Sequence, residues 1–103
     1  MADQIKYKKS QIIEVLRHIE GIVVSLDRLG SAHAQMDPDL WKGAVVDYVQ
    51  KSEVFRSLAR CRAVLSAPFS TELGTDNMDD LEREMQSAEY WSYGEFMKAR
   101  SNE

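Results

Sequence analysis

The chain has 103 residues, 44% of them hydrophobic and 29% charged, the size and balance of a single globular domain over 1–103. Two prolines and five glycines argue against a turn-rich β protein and for long helices. One cysteine, Cys61, excludes an internal disulfide. The net charge of −4 is uneven: residues 68–103 carry three basic and nine acidic side chains, while 1–36 and 37–67 each carry five basic and four acidic ones. A whole-surface nucleic-acid binder shows the opposite balance.

The start, "MADQIKYKKS", is positive with no apolar run behind it, so no secretion signal is expected. The longest apolar run, at 22–24, is far too short for a membrane span. These features point to the cytoplasm and to no membrane partner. Residues 4–29 then read as one long helix. Ile12, Leu16, Ile19, Val23 and Leu26 line one face, and Val15, Ile22 and Leu29 form a second row beside it. Apolar residues on so much of the circumference suit the central helix of a bundle or half of a dimer interface. Gly30-Ser31 is the expected stop.

After the connector "SAHAQM", Asp37-Pro38 restarts a helix, with Asp as N-cap and Pro at the first helical position. If continuous to about Ser66, it places Leu40, Trp41, Ala44, Tyr48, Phe55, Leu58, Ala59 and Leu65 on one broad face. Ser52-Glu53 marks a kink or a second start. A loop, "APFSTELGTDN", leads to a third helix from Thr75–Asn77 to about Tyr93, with Met78, Leu81, Met85 and Ala88 facing one way. The ends, 1–3 and 98–103, are expected to fray. The expected fold is all-α: an antiparallel three-helix bundle with a long helix 1, a long helix 2 that continues or kinks at Ser52-Glu53, and a shorter helix 3.

Trp41-Lys42-Gly43 between two helices resembles the WXG type of small secreted helical hairpins, the ESAT-like proteins of type VII secretion. The resemblance implies export with a paired partner. Three features depart from it. Asp37-Pro38 puts Trp41 inside the second helix, a third helix follows, and the export signal is missing, since Tyr90 is followed four later by Gly94 and Tyr93 by Met97. Read from the residues alone, Trp41 is a buried anchor and Gly43 permits close approach of helix 1.

"VLRHIEGIVVSLDRL", 15–29, is similar to the first-helix pattern of the copper-sensing-repressor family, small all-α DNA-binding proteins; Leu16, Arg17, Ile19, Glu20, Gly21, Val23 and Arg28 match. That family's metal site needs a Cys opening helix 2 and a His-x-x-x-Cys pair along it. Position 57 is Ser and no Cys opens the helix, so no such site can be built here.

Other chemistry is sparse. Glu14 and His18 share a face of helix 1, but two ligands do not make a zinc site. His33 lies in the connector, and Cys61 lacks a local base. Arg17 and Arg28 do not have the fixed cationic spacing that chorismate mutase-type bundles use. No cofactor, no metal and no enzyme activity are expected. Lys6, Lys8 and Lys9, with Arg56 and Arg60, form a basic set that suits phosphate contacts or pairing with the acidic third helix; pairing is the preferred reading. The aromatic tail, Tyr90, Trp91, Tyr93 and Phe96, with Asp79, Asp80 and Glu84 before it, is the best candidate partner surface.

The leading expectation is therefore a non-enzymatic interaction module (adaptor, inhibitor or immunity-type antagonist) that binds another protein or itself as a homodimer. A small DNA-binding regulator and the ESAT-like hairpin are the alternatives.

Overall fold

A computed structural model describes residues 4–101, so the expectations for 1–3 and 102–103 lie outside the described residues. The regular structure among the described residues is all helical: α1 (Lys9–Ala32), a 3-10 turn (His33–Gln35), α2 (Pro38–Lys51), α3 (Val54–Ser66), α4 (Asp80–Met85) and α5 (Tyr93–Ser101). It divides between Phe69 and Ser70 into two compact units.

The first unit is a helical hairpin with α1 as one arm and α2 plus α3 as the other. α1 begins later than its apolar pattern suggests. Lys8 is extended, and its N–H donates to Gln11 Oε1 at 2.9 Å. The preceding residues run along the end of α3, where the Tyr7 hydroxyl donates to the Leu65 carbonyl at 2.5 Å. α1 also passes through Gly30-Ser31 without stopping. No glycine has positive φ, so Gly30 does not take the left-handed C-terminal conformation that would end the helix there. Asp37 caps α2 as its sequence predicts, accepting from the N–H groups of Asp39 and Leu40 at 3.1 and 3.3 Å.

Helix 2 is not continuous. It breaks at Ser52-Glu53, where Glu53 takes the left-handed conformation (φ 55°), and the Ser52 hydroxyl donates to the Tyr48 carbonyl. The break rotates the apolar positions of the two halves relative to each other, so the single broad face expected of an unbroken helix does not form. The half-buried residues of α2 are Trp41, Ala44, Val45 and Tyr48; those of α3 that pair with α1 are Val54, Ser57, Cys61 and Val64, in steps of three, four and three. On α1, the matching seam is Gln11, Val15, His18, Ile22, Ser25, Leu29 and Ala32, a strict four-three alternation of buried or half-buried positions. Val15, Cys61 and Val64, the three buried side chains among the described residues, sit where α1 meets α3. The arms are antiparallel: Tyr7 meets Leu65, Val15 meets Cys61, and the Trp41 indole N–H reaches the Leu29 carbonyl at 2.8 Å.

The second unit differs most from expectation. In place of one helix over 75–93 there are two short ones, because two capping residues each start a helix. The Asp79 carboxylate accepts from the Glu82 N–H at 2.8 Å and the Ser92 hydroxyl from the Glu95 N–H at 3.2 Å. Residues 98–101, expected to fray, belong to α5. Ahead of α4, Thr75–Asn77 form a turn: Asn77 has φ 62°, and the Gly74 N–H donates to the Met78 carbonyl at 2.8 Å. Arg83 closes this turn with two bonds to Asp76 (2.8 and 2.9 Å), one to Asp80 (3.0 Å) and one to the Met78 carbonyl (3.2 Å). A Cβ at Gly74 would lie 2.7 Å from Arg83 Nη2, so a larger residue there would push the guanidinium from its present position.

Candidate functional site

In a helix each residue is turned about 100° from the one before. On α1, the residues one place after the seam are Ile12, Leu16, Ile19, Val23 and Leu26. On α3, those one place after the seam are Phe55, Leu58, Arg62 and Leu65. Because the arms are antiparallel, both rows turn to the same side of the hairpin. The residues one place before the seam turn to the other side. Glu14 and Arg60 demonstrate this directly, each preceding a seam residue and bonding across the arms (Arg60 Nη2 to Glu14 Oε2, 3.2 Å).

The hairpin thus has two unlike faces. One carries Glu14, Arg17, Arg28, Arg56 and Arg60. The other is open and, apart from Lys42 and Arg62, apolar: Leu16 and Val23 are each 56% exposed and Phe55 81%. Ile19, Leu26 and Leu58 are exposed as well, and so are Val46 and Val49 on the same side of α2. The row read from the sequence as helix 1's main stripe is this open one. Its companion row, Val15, Ile22 and Leu29, makes the contact inside the hairpin. Phe55, Leu58 and Leu65, read as sharing one broad face with Trp41 and Tyr48 on an unbroken helix, are exposed on this open side. The missed signal is the step of three, four and three through Val54, Ser57, Cys61 and Val64, which carries a Ser and a Cys in place of large apolar residues.

Trp41 is a half-buried anchor at the closed end of the hairpin, held by its bond to Leu29 and by edge-on contact with His33 (ring centroids 4.6 Å apart). Gly43 does not serve close packing, for a Cβ there meets nothing within 4 Å.

The basic set is dispersed. Lys6 and Lys8 lie in the extended segment and Lys9 starts α1. Arg56 pairs with Glu53 at 3.4 Å, and Arg60 pairs with Glu14. Both arginines therefore have a partner within the hairpin. The pairing holds the Glu14 carboxyl below its ordinary range, chiefly through the hydrogen bond from Arg60. A cleft of about 260 Å³ opens at the α2–α3 break, and its lining includes Arg17, His18, Tyr48 and Ser57. Glu14 and Arg28 are not part of it. Ser25 and Ser52, also on its wall, spend their hydroxyls on the carbonyls of Gly21 and Tyr48.

In the second unit, Asp79 caps α4 and Asp80 pairs with Arg83, while Glu84 is exposed. Tyr90, Trp91 and Tyr93 are largely exposed, and Phe96 is partly so. Trp91 gathers Tyr93 and Phe96 around it at 6.2 and 5.9 Å, and Arg100 lies over the Phe96 ring at 5.8 Å. Three of the four aromatics read from the sequence, Trp91, Tyr93 and Phe96, are thus brought together, and Tyr90 makes no ring contact with them. Among the described residues there is no group of three or more His, Cys, Asp or Glu side chains able to hold a metal ion, and no helix long and apolar enough to cross a membrane. Comparisons with protein-family models, with curated proteins and with solved structures find no match to this chain.

Proposed function

We propose that this chain is a non-enzymatic protein–protein interaction module of the adaptor, inhibitor or immunity-type antagonist kind, acting in the cytoplasm through the open apolar face of its hairpin. One observation carries the reading: apolar side chains from α1, α2 and α3 lie open on one side of the hairpin, while among the described residues only three side chains are buried. Single exposed apolar residues are ordinary, but a contiguous two-helix patch marks an interaction surface. Leaving each half-exposed Leu, Ile or Val in water forgoes about 1 kcal/mol, so a partner that covers the face gains many such increments at once. The exposed Trp91 cluster supports a second contact surface, since Trp and Tyr give large contact area at low entropy cost.

The test is hydroxyl-radical labelling of the full chain, with molar mass measured by light scattering on the same sample. The reading requires that Leu16, Val23, Phe55 and Leu58 be either protected in an assembly or freely labelled in a monomer. A monomer in which these side chains are protected means that the chain covers its own face, and that outcome ends the reading.

A further inference from the structure

We infer that the occupant of the open face is the same face of a second copy of this chain, in a two-fold dimer whose axis runs parallel to the helices, so that α1 of each copy lies on α2 and α3 of the other. This rests on the interaction reading above and names its partner.

Three observations lead to it. First, the hairpin's own core is too small. A unit of this length with three buried side chains among its described residues needs a further source of burial to stay folded. A partner needed for folding must be present whenever the chain is, and a second copy always is. Second, the face is two helices wide. A second hairpin laid on it completes a four-helix arrangement with an apolar centre, the usual way such faces are closed, and Arg62 is the one cation of the α3 row that it covers.

The third observation is charge. Asp27 stands one turn after Val23, on the outer edge of the α1 row. Lys42 stands one place after half-buried Trp41 and one turn before Val46, at the closed-end limit of the α2 row. Residues four apart on a helix are neighbours on its surface, so each charge flanks the apolar patch. Neither makes an ion pair among the described residues. The bond from Trp41 to the Leu29 carbonyl sets Asp27 and Lys42 at heights within about one helical turn of each other. A two-fold axis parallel to the helices preserves height and exchanges the arms. It therefore brings Asp27 of one copy beside Lys42 of the other, twice per dimer. The two-fold axis perpendicular to the helices lays α1 on α1 and leaves Asp27 without this partner. Rim charges of this kind select between packing arrangements while the apolar centre supplies most of the affinity.

The experiment is dimer dissociation followed by light scattering on dilution, for the full chain and for three variants: Asp27→Lys, Lys42→Asp, and the two together. Each single reversal is expected to weaken the dimer about tenfold or more, and the double reversal to return it to within about threefold of the original. All the substitutions are exposed, and helical circular dichroism checks that each variant folds. A dimer that both singles leave unchanged, or that the double fails to rescue, overturns the arrangement. A monomer whose Leu16, Val23, Phe55 and Leu58 are freely labelled overturns the second copy as partner and leaves the interaction reading standing. A monomer with those side chains protected overturns both.

Discussion

Trp41, Gly43 and Asp76 show how a single side chain acts in this chain. The Trp41 indole joins the two arms at their closed end through one hydrogen bond. Trp41→Phe keeps most of the apolar contact and leaves the Leu29 carbonyl without this donor, so thermal unfolding should show a loss of about 1 kcal/mol; no change would mean that water replaces the bond without cost. Gly43 sits inside α2 with open space where a Cβ would go, so Gly43→Ala should stabilise the hairpin by about 0.5–1 kcal/mol. The residue type at 43 suggested close packing because sequence shows that a side chain is small but not whether anything approaches it. The Arg83 guanidinium, with help from the Met78 N–H, lowers the Asp76 carboxyl from 3.8 to about 2. A carboxyl lowered on folding contributes stability that is present above its unfolded value and is lost as pH falls through the folded one. The 74–83 turn should therefore hold at neutral pH and loosen as pH drops from near 3.8 toward 2. Carboxyl titration followed by NMR reads this, and a midpoint for Asp76 near the ordinary value would contradict the Arg83 contact.

The helices divide according to how strongly local chemistry fixes their ends. Asp37-Pro38 is an unambiguous start, and α2 begins there. Ser52-Glu53 was legible as a kink or a restart, but the left-handed Glu53 was not, since nothing in Glu favours that conformation. Its cost gives a prediction: Glu53→Gly should raise the melting temperature, by the equivalent of about 1 kcal/mol. A fall would mean that the Arg56–Glu53 contact outweighs the strain. The third helix was misplaced for a related reason. Met78, Leu81, Met85 and Ala88 have helical spacing, yet Asp79 and Ser92 are stronger local signals, each satisfying a free N–H group at the start of its own short helix. On α1 both apolar rows were visible. Which one faces its own chain was not, because that depends on the register of the opposite arm and so on the break at Glu53.

At the scale of the whole chain, an all-helical protein with little proline or glycine was readable from composition, and helix 1's surplus of apolar surface from its periodicity. The open face itself was not, because it is a property of two arms together: only when the four-three seam of α1 is matched to the three-four seam of α3 do Leu16, Val23, Phe55 and Leu58 fall on one side. If that face is an interface, a charge placed at its centre must break it. Leu16→Glu with Leu58→Glu should convert an assembled species to monomer and lower the melting temperature, whereas Arg56→Glu on the opposite face should leave the assembly intact. The measurement that bears most directly on the central claim is the molar mass of the full chain in solution, by light scattering over a range of concentration and salt. A dimer that persists at high salt is predicted, because its centre is apolar and little screened. A monomer at every concentration, with Leu16, Val23, Phe55 and Leu58 protected from labelling, would contradict the account.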